Sequence, residues 1–312
     1  MIIYTQISVI MTFIISLYLT LVGVADLKAN SGASEYYDEQ LMKGIESFYQ
    51  TDWADARKHF RKLKDEFPND PRAYFFESMI PFWKYFFVEQ NHEYSESFFE
   101  LSEVAIEKSE KMLKNSPADT TTVMLLSGLY GYRSLVAAGE KEYREAIKSA
   151  LQGFGYTRKL LSLDEVRPDA YIGRGMFQYM VGNVPRELKW MTNIFGLKGD
   201  RELGLNELKK AASSDSYVSV DARMILAYLY RKELDYKTAL SYLDSLISEY
   251  PANSIFQFTR AEILEEMNRP GPAVDAYQTV INLDNENVEP LLEKSRNRIN
   301  KLSGLGYSEN NY

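Results

Sequence analysis

The chain of 312 residues contains no cysteine and only two histidines. The lack of cysteine excludes disulfide bonds, thiolate catalysis, a lipid-bearing cysteine after a leader, and cysteine ligands to a metal. His59 and His92 have no second histidine at ligand spacing, which argues against a zinc site. We therefore interpret both as surface or hydrogen-bonded structural residues, and we expect neither a metal nor a cofactor.

Basic runs and catalytic motifs are also missing. The net charge is −8 and Lys and Arg are not clustered, which argues against a nucleic-acid partner. Gly173-Arg174-Gly175 begins like a dinucleotide-binding loop, but it has no third glycine at the required place and no preceding strand. Phosphate loops and nucleophile elbows are absent, and acidic residues in a helical chain mostly cover solvated faces. The sequence therefore predicts a protein that is not an enzyme.

Charge is absent from the N-terminus as well. Residues 1–25 carry no charged side chain, and Ile7 to Ala25 form an apolar run that ends in the small residues Gly23 and Ala25. This pattern predicts a signal peptide cleaved before Asp26, and hence export to the periplasm or cell envelope.

The start of translation and the cleavage each leave one alternative open. No Lys or Arg precedes the run, and translation from Met11 instead of Met1 would leave a more usual signal length. The run is also almost long enough to span a bilayer, so an uncleaved N-terminal membrane anchor is the alternative. Residues 26–35 are small and polar and predict a flexible linker.

A period of 34 residues organises the chain between Ala222 and Val280. Small or apolar residues recur at that spacing in four pairs: Ala227 with Ala261, Ala239 with Ala273, Leu243 with Tyr277, and Leu246 with Val280. Pro251 follows the second helix of its unit, where proline cannot continue a helix. The pattern resembles the tetratricopeptide repeat, in which each unit is a pair of antiparallel helices.

The resemblance implies an all-α solenoid of about six repeats over residues 36–287, with a capping helix at 288–303 and a loose tail at 304–312. Each unit has a small residue at the helix crossing: Gly44, Ser78, Gly128, Gly175, Ala227 and Ala261. The wide spacing of the middle markers predicts that the middle three units are enlarged. In the second unit Pro81 interrupts an aromatic run, so we expect a kink or a new helix there.

A second resemblance covers about residues 165–285. It is to the tetratricopeptide-repeat family that includes the inclusion-body clearance proteins of the outer mitochondrial membrane. The matching residues are Gly175, Phe177, Pro185, Phe195, Gly196, Gly199, Asp200, Arg201, Gly204 and Leu205, with Phe195-Gly196 in reversed order. The resemblance implies a non-catalytic adaptor or membrane-associated role. The leader is not part of the family's pattern, so the family's cellular role is not carried over.

The matching segment predicts an inserted helix within residues 183–199. We expect Gly199 to close it in the left-handed conformation, Asp200 to cap the next helix, and Gly204 to allow close packing. The insertion is either a plug that fills the core or a contact element over the concave face, with Trp190 at the edge of its apolar stripe.

The first helix of each unit is expected to line the concave face, where aromatic side chains and arginines suit a protein or peptide partner. Core packing is the alternative role for these aromatics. The candidate binding residues are Trp83, Tyr132, Arg133, Met176, Tyr179, Trp190, Tyr228, Arg231 and Lys232, supported by Leu41, Phe48, Leu125 and Met224.

The sequence thus predicts a non-catalytic interaction scaffold in the cell envelope. One alternative is a membrane-anchored organiser. The other is a hydrolase or lipid-handling protein with a groove under the helix at 185–199. The identity of the partner is not encoded in any motif.

Overall fold

The computed structural model describes residues 33–163, 168–184, 189, 198–214 and 218–304. The predicted leader, the linker up to residue 32, most of the inserted segment including Trp190, and the tail after residue 304 lie outside the described residues. The described part contains thirteen α-helices and no strand. They are α1 Ala33–Tyr49, α2 Trp53–Glu66, α3 Pro71–Trp83, α4 His92–Asn115, α5 Thr120–Gly139, α6 Tyr143–Ser162, α7 Pro168–Gly182, α8 Arg201–Ala212, α9 Val218–Lys232, α10 Tyr236–Glu249, α11 Ser254–Glu266, α12 Pro270–Leu283 and α13 Glu289–Gly304.

The first twelve helices form six antiparallel pairs, so the predicted all-α repeat solenoid is confirmed. The middle pairs are enlarged in two ways. Helices α4, α5 and α6 are 20 to 24 residues long, against 13 to 17 in the first and last pairs. In the fourth pair the added residues lie between the helices, after Gly182 and before Arg201. Helix α13 follows the sixth pair and buries Leu291 and Leu292 against it.

The turn within four of the pairs contains one residue in the left-handed region of backbone space. These residues are Thr51, Lys141, Leu234 and Asn268, with φ between 55° and 65°. Leu234 and Asn268 are 34 residues apart, so the turn repeats with the helices. The conformation is rare for a β-branched residue, so Thr51 needs support from outside its own turn.

Small residues occupy the helix crossings, as the repeat pattern predicts. Ala239, Ala261 and Ala273 are fully buried. A Cβ atom on Gly44 would lie 2.5 Å from the ring of Phe60 on the paired helix, closer than carbon atoms approach. The small side chains therefore set the distance between the two helices of a pair.

Helix α3 does not restart at Pro81. It continues through the proline to Trp83 and then widens into one π-helical turn, Lys84–Val88, in which Glu89 N–H donates to the carbonyl of Lys84 at 2.9 Å. Proline cannot donate a backbone hydrogen bond, and a π-turn is a known way for a helix to continue around an irregularity. The widened turn directs Phe86 and Phe87 toward the interior of the solenoid.

Helices α7 and α8 cross at glycines that belong to the segment carrying the second resemblance. A Cβ atom on Gly204 would lie 2.5 Å from the carbonyl oxygen of Gly175, and one on Gly199 would lie 2.5 Å from the backbone nitrogen of Gly182. Asp200 caps α8 as expected, since its carboxylate accepts from Leu203 N–H at 2.9 Å. The expectation for Gly199 is wrong: its φ is outside the left-handed region, and glycine is required there by the close approach of α7.

The two ends of the solenoid meet. The turn after α1 is hydrogen-bonded to the C-terminal repeats by Tyr49 Oη to Asp221 Oδ1 at 2.6 Å, Asn253 Nδ2 to the Tyr49 carbonyl at 2.6 Å, and Asn285 Nδ2 to Thr51 Oγ1 at 2.7 Å. Asn287 Nδ2 also donates to the Thr51 carbonyl at 3.2 Å. We call this set the ring-closing contact. It supplies the external support that the left-handed Thr51 requires.

No helix among the described residues is both long enough and apolar enough to cross a bilayer. The predicted leader is not among these residues.

Candidate functional site

The interior of the closed solenoid contains a groove of about 690 Å³. Its walls come from opposite ends of the chain: α3 and its π-turn on one side, and α9, α11 and α13 on the other. The aromatic and charged side chains that line it include Phe82, Phe86, Phe87, Tyr228, Arg231, Phe256, Phe258, Glu262, Lys294 and Arg298.

Aromatic rings form the floor of the groove. The Phe86 ring lies 4.8 Å from Phe82, and Phe87 lies 5.1 Å from Trp83, which in turn lies 6.2 Å from Phe256 on α11. Phe86 and Phe87 are only partly buried, so their rings present an apolar surface to the opening. An apolar floor of this kind binds apolar side chains of a ligand by removing them from water.

Charged side chains surround this floor. Arg231 is held by two glutamates, with Nη1 at 3.0 Å from Glu262 and Nη2 at 2.6 Å from Glu266. Burial lowers the pKa of Arg231, but the hydrogen bond to Glu266 and the charges of both glutamates raise it further than burial lowers it. Arg298 pairs with Glu265 at 3.3 Å. Lys294 donates to the Val88 carbonyl at 2.5 Å and thereby joins α13 to the π-turn.

Three of the residues expected on the concave face line this groove directly. Tyr228 is 40% exposed, and Arg231 lies one helical turn further along α9. Lys232 follows on the same helix but does not line the groove, and burial lowers its pKa to about 8. Met224 lines the groove one turn before Tyr228.

Other expected residues lie in the core. Trp83 and Tyr132 are fully buried and support the floor, since Trp83 contacts Phe87 and the Tyr132 ring lies 4.4 Å from Phe82. Leu41, Phe48 and Leu125 are buried as well. For these side chains the structure favours the core-packing role that the sequence left open.

The remaining expected residues lie away from the groove. Met176 and Tyr179 are buried on α7, where Tyr179 Oη donates to Glu233 at 2.8 Å. Arg133 donates to the Phe99 carbonyl at 3.1 Å and pairs with Glu103 on α4. Trp190 lies outside the described residues, so its expected place at the edge of the inserted helix stays a prediction.

The π-turn and the capping helix also belong to the site, although the repeat pattern did not predict this. Phe86, Phe87, Lys294 and Arg298 line the groove but were not among the candidates. A signal was present, because the aromatic run from Phe82 to Phe87 exceeds what a minimal repeat needs. The wall formed by α13 had no such signal, since only the closure of the solenoid brings it to α3.

Both histidines contact polar side chains in the described part of the chain. Within the described ranges, no three His, Asp or Glu side chains are grouped so that they would hold a metal ion. His92 lies on the surface with Nδ1 at 2.7 Å from Glu140, and the hydrogen bond and charge of Glu140 raise its pKa. His59 contacts Gln40 at 3.2 Å and Asp55 at 3.5 Å.

Comparison with known families agrees with the geometry. A family model described as Iml2/Tetratricopeptide repeat protein 39 matches residues 140–289, a wider span than the segment that carries the second resemblance. A model described as Tetratricopeptide repeat matches residues 41–70, which is the first helix pair. No curated protein matches the chain significantly.

Tetratricopeptide repeats generally mediate protein–protein interaction, and families of this type are generally non-catalytic. With six helix pairs among the described residues, small residues at their crossings and two matching repeat models, the chain is a tetratricopeptide-repeat protein.

Proposed function

We propose that this protein is a non-catalytic scaffold that binds an apolar segment of a partner protein in the groove. The groove itself is the observation that carries the proposal, because it combines a partly exposed aromatic floor with arginines and glutamates at its edge. Aromatic and arginine side chains supply most of the binding energy in protein interfaces. The volume of the groove is sufficient for a few large side chains of a ligand.

A photo-crosslinking amino acid at Tyr228 tests the location of the site. p-Benzoylphenylalanine at this position is expected to form a covalent adduct with one partner protein in cells that produce the protein natively. The matched control is the same substitution at Tyr143, which is 49% exposed on α6 and does not line the groove. Equal adducts at both positions, or none at Tyr228, would contradict the proposal.

The affinity of the crosslinked segment gives the second readout. Tyr228→Ala is expected to weaken binding of that segment by at least ~1 kcal/mol, because an aromatic anchor is removed. Tyr143→Ala is expected to leave binding unchanged. Titration calorimetry with the synthetic segment measures both variants.

We further propose that the scaffold acts in the cell envelope after export. The charge-free segment of residues 1–25 supports this location. Sequencing of the mature N-terminus is expected to begin near Asp26. Detection of an intact N-terminus at Met1 or Met11 in the membrane fraction would contradict cleavage and favour the membrane-anchored organiser.

The hydrolase or lipid-handling alternative depends on residues 185–199, most of which lie outside the described residues.

A further inference from the structure

A buried carboxyl group joins the two halves of the solenoid. Asp221 lies in the first turn of α9, is fully buried, and accepts a hydrogen bond from Tyr49 Oη, which is 172 residues away in the sequence. Its second oxygen, Oδ2, is buried without a hydrogen-bond partner among the described atoms. A carboxylate in such surroundings lacks the donors that would stabilise its charge.

The surroundings of Asp221 come from the other half of the chain. A small cavity between the halves is lined by Phe48 and Tyr49 of α1, Phe75, Phe76, Met79 and Trp83 of α3, Tyr132 of α5, and Asp221. Among these described lining residues, Asp221 is the one contributed by the C-terminal half. Solvating its carboxylate therefore requires the inner face of repeats one to three to separate from α9.

We propose that the Tyr49–Asp221 hydrogen bond is a pH-sensitive latch, which holds the first three repeats against the fifth in acid and releases them as the pH rises. The latch is part of the ring-closing contact, and Trp83 connects it to the groove because its ring lies 5.9 Å from Tyr49 and 5.1 Å from Phe87. Release would widen the groove between the π-turn and α11. This consequence rests on the proposed function, whereas the latch itself does not.

The direction of the pH effect follows from the two states of the carboxyl group. Burial raises the pKa of Asp221 to about 8, although the hydrogen bond from Tyr49 lowers it somewhat. Between the ordinary value of 3.8 and about 8, the closed protein holds a proton that the open or unfolded chain has lost. The closed state is therefore most stable in acid and becomes less stable as the pH rises through this range.

Other titratable and charged groups lie near the latch. The groups that face it are the hydroxyls of Tyr49, Tyr132 and Tyr250, and the nearest charges are Arg223 and Glu249, which pair with each other, together with Glu46. Burial raises the pKa of Tyr49 well above its usual value, so its hydroxyl stays protonated. Lys232 lies on α9, as Asp221 does, and has a pKa of about 8. It is kept in every variant, so that comparing the variants with the parent removes its effect.

The first test compares the full-length protein with Asp221→Asn, which keeps an acceptor for Tyr49 but cannot ionise. Urea unfolding from pH 5 to 9 is expected to show the unfolding constant of the parent rising relative to the variant by about tenfold per pH unit up to about pH 8. Parallel pH profiles would overturn the proposal. Tyr49→Phe, which removes the hydrogen bond that lowers the carboxyl pKa, is expected to move the plateau to higher pH, and an unmoved plateau would also overturn it.

The second test measures closure directly, without any partner protein. Because the chain has no cysteine, Ala54→Cys with Glu286→Cys places one spin-label pair on exposed positions on either side of the ring-closing contact. The distance between the labels is expected to lengthen and broaden from pH 6 to 9, and to stay constant when Asp221→Asn is added. A control pair within the C-terminal repeats, Lys237→Cys with Gly271→Cys, is expected to stay constant throughout. Constant distances in the parent at both pH values would overturn the latch, whatever the outcome of the groove experiments.

Discussion

At Gly204 the absence of one methyl group decides how closely two helices approach. The backbone of α7 occupies the space where a Cβ atom would lie, and Gly175, Gly182 and Gly199 have similarly close neighbours. These glycines explain in physical terms why the segment resembles a family motif. They form a crossing of two helix backbones that leaves no room for a side chain. This packing accounts for the glycines without a catalytic or binding role.

Substitution of Gly204 tests this interpretation. Gly204→Ala is expected to destabilise the protein by ~1–3 kcal/mol, because the new methyl group would lie 2.5 Å from the Gly175 carbonyl oxygen. Gly155→Ala is the matched control, since nothing lies within 4 Å of the site on α6, and it is expected to stabilise the helix by ~0.5–1 kcal/mol. Chemical denaturation measures both, and equal effects would show that the crossing tolerates a side chain.

At the scale of single elements, helix α3 departs most from the regular repeat. A minimal repeat ends its first helix after three or four turns, whereas α3 passes Pro81 and widens into the π-turn Lys84–Val88. The extension brings Phe86 and Phe87 to the groove and lets Lys294 bond to the Val88 carbonyl. An irregular element thus forms one wall of the candidate site, as π-turns often do.

A substitution in a regular helix tests the phase assigned to the repeat. Ala239 is fully buried where α10 crosses its partner helix, so Ala239→Leu is expected to overpack the crossing and destabilise the protein by ~1–3 kcal/mol. Ala54→Leu is the control, because Ala54 is exposed on α2. Thermal melting compares the two, and an unchanged melting temperature for Ala239→Leu would show that the phase of the 34-residue repeat is misassigned.

At the scale of the whole molecule, the solenoid is closed rather than open-ended. In an open solenoid each repeat contacts only its neighbours, so the terminal repeats lose structure first. Here the turn at Thr51 is hydrogen-bonded to Asn285 and Asn287 beside the capping helix, and Asn253 holds the Tyr49 carbonyl. The two ends therefore stabilise each other.

Closure predicts an unusual pattern of amide hydrogen exchange. Helices α1 and α13 are expected to be protected to a similar degree as α5, and to lose protection together in Asn285→Ala/Asn287→Ala. Mass spectrometry of exchanged peptides measures this for each helix. Rapid exchange of α1 in the parent, with α13 unaffected by the substitutions, would instead indicate an open solenoid with independent ends.

The repeat phase, the fold class and the cap at Asp200 were predictable because each depends on residues close in sequence. Helix crossings need small residues at a fixed period, and an N-cap needs a side-chain oxygen two or three positions before the N–H from which it accepts a hydrogen bond. The sequence pattern predicted the wrong conformation for Gly199, because the close approach of α7 is a tertiary contact. It also left core and binding roles open for Trp83 and Tyr132, since an aromatic stripe looks the same in both.

The sequence by itself determined that the chain folds into tetratricopeptide-type helix pairs and which small residues lie at their crossings, since local spacing and turn chemistry are sufficient for that. Only the tertiary structure decided which of the aromatic and charged side chains face the groove. That outcome depends on bringing Tyr49 to Asp221 and Val88 to Lys294, across 172 and 206 residues. Such contacts arise from the summed rotation of successive repeats, which no local pattern of residues records.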